Sequence, residues 1–237
     1  MRKKSMRRNK YEPIRQIEVH ISPEEISKVN EILKESENAE VSENVEVAEN
    51  LEVSEKAAVT GLGEHPGTCK HPLENTWSFW LQANKSKEWK DNLIELTNFD
   101  TVEDYWCLYH YMKSPSELKS GQDYAIFKKG ILPMWEDGQN RRGGRWLIMV
   151  EKGNHAMLDR IWLDTVLLVI GENFADNDSI NGVVVYIRPY SKIGVWTKDF
   201  KDQKAVMRIG HELKSVLGIR RLEFTPHNTP KVLYSIS

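Results

Sequence analysis

The chain has 237 residues, 40% hydrophobic and 29% charged, with a formal net charge of −2. That length suits one ordinary domain plus an appendage. The near-neutral balance excludes a protein that holds nucleic acid through a broad basic field, so any contact with an anionic ligand must be local.

The first eight residues, Met1 to Arg8, carry five basic side chains. This cluster reads equally as an import signal, an RNA-binding arm or a plain solvated terminus. No apolar stretch follows it, and no run anywhere approaches the roughly 18 to 20 residues of a membrane span. The expectation is a soluble cytoplasmic protein with nuclear entry open and no membrane partner. Ser22-Pro23-Glu24-Glu25 is a helix start, with Ser22 as cap, Pro23 in the first turn and Glu25 reaching back. Ile26, Val29 and Leu33 then share a face, which predicts a short helix over 23–36. Residues 37–54 are three hexads, each opening with Glu-Asn and carrying a Glu at every third position. Without aromatics they cannot bury enough surface to offset ordering entropy, so disorder is expected. Thr60 to Cys69, with three glycines and Pro66, reads as a linker.

These features predict a tail and linker over 1–70 and a folded domain over 71–237. All eight tryptophans fall between Trp77 and Trp196. Fourteen acidic and eleven basic residues lie up to Lys70, which leaves twenty-one and twenty-two for the domain. Cys69 and Cys107 flank the boundary without metal-ligand spacing, as in a reduced intracellular protein. No metal or cofactor is implied.

Within the domain, Trp77, Phe79 and Leu81 alternate with outward residues, as do Trp146, Ile148 and Val150, and again Val183, Val185 and Ile187. Period-two patterns of this kind predict half-buried strands. Pro189-Tyr190-Ser191 interrupts Ile187 to Val195 as a hairpin turn. A helix starts at Thr101 as cap, with Asp104 three residues on. It places Tyr105, Leu108, Tyr109 and Met112 on one side, and Val102 and Trp106 on a neighbouring stripe. A second helix is predicted over about Leu158 to Ile170, stopped by Gly171 in a left-handed cap, and a third over about Gln203 to Leu217 before Gly218. Strand pairs punctuated by helices, without regular βαβ alternation, imply an α+β fold: an antiparallel sheet with helices on one face and the other face free.

The stretch from Gly130 to Gly138 carries the chemistry. Pro133 and Gly138 bracket Trp135 in a loop, where a large ring has no evident core to enter. Glu136 stands beside it. Guanine presents two adjacent donors, N1–H and N2–H2, and one ionised carboxylate accepts both in a fork. If the guanine carries a methyl at N7 it is cationic, and aromatic faces above and below it add about 2 kcal/mol or more when desolvated. A Trp-Glu pair suits such a base.

Here the chain resembles the eukaryotic translation initiation factor 4E family. The residues that carry the resemblance are Pro133-Met134-Trp135-Glu136, Gly143-Gly144-Arg145-Trp146, His71-Pro72-Leu73, Thr101 to Asp104 and Ile170-Gly171-Glu172, and the match runs over about 71–220. The resemblance implies a cup-shaped sheet of about eight strands backed by three helices on its convex face. It implies binding of the 7-methylguanosine cap of messenger RNA, with Trp89 as the second stacking ring opposite Trp135, and Trp196 against the methyl group. Arg188 and Lys192 match two phosphate-binding residues and Arg145 a supporting arginine. The family spacing Arg-x-Lys-x-x-Lys is one residue shorter here, with Tyr190 near the place of the middle lysine. A second surface is implied on the helical back, where His71, Pro72, Val102, Trp106, Leu163, Asp164 and Leu167 match a groove for the Tyr-x4-Leu-Φ helix of initiation factor 4G and of 4E-binding proteins. Asp164 stands where glutamate is usual.

Taken one by one, these residues have plainer readings: Trp106 as core, Glu136 as a solvated charge, Arg188 and Lys192 as guards of a sheet edge. Trp77, Trp80, Trp146 and Trp162 are expected in the core. The chain has no phosphate loop, no Gly-x-Ser-x-Gly and no His-Glu-x-x-His, so an enzyme is not expected. A carbohydrate-binding module would stack sugars on exposed tryptophans, but it would not need the basic hairpin. Within the family, the alternative is a repressor-type homologue that holds the cap and blocks initiation. Such relatives tend to carry tyrosine at the Trp89 and Trp77 positions, so the chain resembles the initiation branch more.

Overall fold

A computed structural model of the protein describes residues 70–84 and 92–237. The expected helix over 23–36, the hexads, the linker and Trp89 all lie outside these residues. The strands are β1 (Pro72–Gln82), β2 (Leu93–Thr101), β3 (Asp123–Lys128), β4 (Gly144–Met149), β5 (Ile180–Tyr186), β6 (Lys192–Thr197), β7 (Leu222–Pro226) and β8 (Tyr234–Ile236). They form one curved antiparallel sheet in the order β2-β1-β3-β5-β6-β4-β7-β8. Three helices, α1 (Val102–Tyr111), α2 (His155–Ile170) and α3 (Gln203–Leu217), pack on one face. The expected α+β class and sheet are what the chain adopts. No helix of the described residues is long and apolar enough to cross a membrane.

Alternation places the core. Trp77, Phe79 and Leu81 of β1, Trp146 and Ile148 of β4, and Val183 and Val185 of β5 are sealed against the helices. The tryptophan among them in β4 also meets its polar need, since Trp146 Nε1 donates to the Val206 carbonyl of α3 at 2.9 Å.

The helix ends follow from local chemistry. Thr101 Oγ1 accepts the Asp104 N–H and donates to Asp104 Oδ2, which starts α1 where the cap residue predicted. Asn154 caps α2 through the Met157 N–H, so that helix begins three residues before the predicted Leu158. Gly218 ends α3 in the left-handed conformation at φ 63°, as expected. Gly171 does not: its φ is −79°, and the left-handed residue is Glu172 at φ 50°. The Glu172 N–H bonds Val169 O and the Asn173 N–H bonds Leu168 O, so the reversal falls one residue later than predicted. Gly171 is needed for a different reason, because a Cβ there would come within 2.8 Å of Leu167 O and Asn173 Nδ2. The unusual backbone of Glu172 is held through its side chain, which meets Lys128 Nζ at 3.1 Å and Asn75 Nδ2 at 2.7 Å.

The face away from the helices is not wholly free. Trp80, Ala125, Phe127, Val184 and Trp196 form a second, small buried cluster there, with Leu93, Ile131 and Tyr186 packed against it. Trp80 is therefore buried, as expected, but on the concave side of β1. Period-two spacing sends it opposite to Phe79 and Leu81, so it cannot join their core.

Candidate functional site

Ala125, Val184 and Trp196 of the small concave cluster line a cavity of about 280 Å³, whose other lining residues include Trp135, Arg145, Arg188, Tyr186 and Asp123. Each strand delivers its contribution by register. Arg145 of β4 lies opposite Trp196 of β6, and Asp123 of β3 opposite Tyr186 of β5. Gln82 and Leu93 also line it, and they close the strand ends on either side of the segment that carries Trp89. Trp89 itself lies outside the described residues.

Trp135 is 52% exposed, on the loop between β3 and β4. A large ring left half in water needs a rigid support, and Asn140 supplies it. Fully buried, it donates through Nδ2 to the carbonyls of Leu132 (2.8 Å) and Met134 (2.9 Å), while its Oδ1 accepts from Asn181 Nδ2 (2.9 Å). Asp137 accepts the N–H groups of Leu132 and Gln139. These bonds tie both flanks of Trp135 to β5. Glu136 shares this loop but is exposed and does not line the cavity.

Trp196 is only 4% exposed and acts as floor rather than platform. Its Nε1 donates to Tyr186 Oη at 3.1 Å, Phe127 meets it edge-on at 5.3 Å, and the ring of His227 lies 4.0 Å away. Burial, with the charge of Arg145 nearby, pushes the His227 pKa down from 6.5 to about 3. The Arg145 guanidinium sits 5.9 Å from the Trp196 ring and 5.7 Å from that of Tyr186. Arg188 is half committed: it forms a bidentate pair with Asp123, Nη1 to Oδ1 at 2.6 Å and Nη2 to Oδ2 at 2.9 Å, and donates also to its neighbour's carbonyl, Ile187 O. Burial raises the Asp123 pKa and Arg188 works against that rise. Lys192 does not line the cavity, though its register opposite Tyr186 puts it on the same sheet face as Gly194 and Trp196.

The structure thus brings together Trp135, Trp196, Arg145 and Arg188. Sequence reasoning missed Asn140, Asn181, Asp123 and Tyr186. The first two wire a loop and have no periodic signature; the last two fall on strands whose alternation reads only as inward or outward.

The second set lies on the helical layer. His71 is tied to the start of α1: its carbonyl accepts the Val102 N–H, its own N–H donates to Glu103 Oε2 at 2.9 Å, and its Nδ1 pairs with Glu103 Oε1 at 2.6 Å. Those bonds hold the Glu103 carboxyl down at about 2. Lys70 Nζ meets Asp104 at 2.7 Å and adds a second tie. Pro72, Val102 and Trp106 are exposed, the last at 42%, with the Trp106 ring edge-on to Tyr109 at 5.6 Å. On α2, Leu163, Asp164 and Leu167 form a half-buried stripe, and Asp164 pairs with Arg160 at 3.6 Å.

An open antiparallel cup with helices behind it, and with rings and cations lining a cavity in its concave face, defines the class as α+β with a candidate ligand site. Residues 72–233 match the family model for eukaryotic initiation factor 4E. The chain is 49% identical over 154 residues to eukaryotic translation initiation factor 4E1 of Drosophila melanogaster, a match covering 64% of this chain and 60% of that protein. Among solved structures it is similar to C. elegans eIF4E-3 in complex with the 4E-binding protein Mextli and cap analog, with TM-score 0.67, 39% identity, and coverage of 71% of this chain and 100% of that one. It is also similar to Ascaris suum eIF4E-3 with m2,2,7G cap, with TM-score 0.68, 40% identity, and coverage of 71% and 99%. The chain belongs to the eukaryotic initiation factor 4E family.

Proposed function

We propose that this chain binds the 7-methylguanosine cap of messenger RNA in the concave cavity, and recruits a scaffold partner through its helical layer to start translation. The observation that carries the reading is Trp135: a half-exposed ring on a loop pinned by the buried Asn140, beside a cavity that also holds Arg145 and Arg188. Stacking on Trp135 and Trp89 would engage the cationic base, Glu136 its donor edge, and Arg145, Arg188 and Lys192 the phosphates, with Trp196 beneath. The solved relatives in complex with cap and with Mextli support both halves of the reading.

On the other surface, His71, Pro72, Val102, Trp106, Leu163, Asp164 and Leu167 would take a Tyr-x4-Leu-Φ helix of initiation factor 4G or of a 4E-binding protein, with exposed Val102 and Trp106 as apolar anchors. The site of action is then the cytoplasm. Retention of the full chain on 7-methyl-GTP resin, with elution by 7-methyl-GTP but not by GTP, is the expected result. Equal elution by the two nucleotides would refute recognition of the methylated base.

A further inference from the structure

Tyr186 ends β5 with Asp123 opposite it on one side and Lys192 on the other. Its ring lies over Gly194 of β6, where an added Cβ would approach Tyr186 Cε2 to 3.2 Å, so a larger residue at 194 would crowd it. The Arg145 guanidinium flanks the ring at 5.7 Å. The phenol is thus seated with its oxygen at Trp196 Nε1, 3.1 Å away.

An indole N–H can only donate, so the tyrosine oxygen is the acceptor in that pair and its own proton is left to give. Among the described residues the hydroxyl makes no second hydrogen bond. The charged side chains around it are Arg145, Arg188, Lys192 and Asp123. Three of these are donors only, and Asp123 is already bound by both Arg188 nitrogens and the Ile187 N–H. Burial pushes the phenol pKa up, so the proton is present at any ordinary pH. A proton donor is therefore left on a residue that lines the cavity together with Arg145 and Arg188. Arg188 spends three of its five N–H donors on Asp123 and Ile187 O, so a neutral donor beside it would add to the contacts it can offer an anion.

We propose that the Tyr186 hydroxyl donates a hydrogen bond to a phosphate oxygen of the nucleotide held in this cavity, which makes Tyr186 a specificity residue for the phosphate chain. This rests on the cap-binding reading above. The residue does two things at once: it accepts from Trp196 to hold the floor, and it donates to the ligand.

Tyr186→Phe keeps the ring over Gly194 and removes only the hydroxyl. The full chain and the variant are titrated with 7-methyl-GTP and with the nucleoside 7-methylguanosine, following tryptophan fluorescence. The expected result is a loss of about tenfold in affinity for the triphosphate and a change of no more than about twofold for the nucleoside, the size of one hydrogen bond to a charged acceptor. Equal losses on both ligands would mean that Tyr186 only steadies Trp196, and no loss on either would mean that the hydroxyl meets no ligand; both overturn the proposal. Tyr186→Met, which lacks the hydroxyl and adapts to irregular gaps, must show the same split if the phenylalanine variant folds poorly. If the unchanged chain binds neither ligand, the cap-binding reading itself falls and takes this one with it.

Discussion

On the helical side of the sheet, Trp77, Trp146, Val183, Val185 and Ile193 are wholly buried against three helices. On the concave side the buried apolar cluster among the described residues is the small one of Trp80, Ala125, Phe127, Val184 and Trp196, and Trp135 on the neighbouring loop is half exposed. One tryptophan of each kind shows what separates the faces. Trp146 gives its N–H to a helix carbonyl and its whole ring to packing, so its contribution is to stability. Trp135 is held in place by its loop's backbone and contributes little burial of its own, so its contribution must come from what lands on it.

The sharpest way to break that contrast is Trp146→Ala. Removing a fully buried tryptophan should cost about 3–5 kcal/mol of folding stability in a denaturant melt. A cost under about 1 kcal/mol would mean that the helical face is not the stabilising one.

The next test uses pH and concerns His227, whose ring lies against Trp196 of the concave cluster. The folded ring stays neutral down to about pH 3, whereas the unfolded chain takes a proton near 6.5. Between those values the unfolded state binds more protons, so this group's contribution is complete above pH 6.5 and is lost as pH falls toward 3, by up to about 1.4 kcal/mol per unit. Stability measured against pH should be flatter across that window in His227→Gln than in the parent, and parallel curves would refute the buried neutral ring.

Asn140→Ala sharpens the comparison further, since it removes the loop's support without touching the ring above it. Two carbonyls and the Asn181 amide would each lose one of their two partners, three hydrogen bonds of about 0.5–1.5 kcal/mol each, and cap affinity should fall with them. Stability lost with affinity intact would show that the loop does not need pinning. Trp106→Ala should have the smallest effect on folding, within about 0.5 kcal/mol. Calorimetry with a Tyr-x4-Leu-Φ peptide and with 7-methyl-GTP on one preparation should show the peptide lost and the nucleotide kept; equal loss of both would make Trp106 structural.

What could be read from the sequence follows the same division. The helical face was legible because burial on one side of a strand or helix leaves a period: Trp77, Phe79 and Leu81, or Val206, Ile209, Leu213 and Leu217, announce themselves, and Thr101 and Gly218 mark their ends. Gly171 misled because glycine serves both left-handed backbone and close approach, and the spacing cannot tell which; Glu172 took the left-handed role once Lys128 and Asn75 held it. In the cavity, Trp135, Trp196, Arg145 and Arg188 were expected through family resemblance and do meet. The Arg188–Asp123 pair and the Asn140–Asn181 bond join residues 65 and 41 positions apart, and no local pattern encodes such partners.

The central claim, that Trp135 reads the charge of a methylated base, is tested most directly by Trp135→Ala in the full chain, titrated with 7-methyl-GTP and with GTP. Removing one face of the stack should cost about 1–3 kcal/mol for 7-methyl-GTP and much less for GTP, whose neutral base gains no cation–π attraction, with the melting curve unchanged. If Trp135→Ala kept the parent's full preference for the methylated nucleotide, Trp135 would not be the residue that reads the charge.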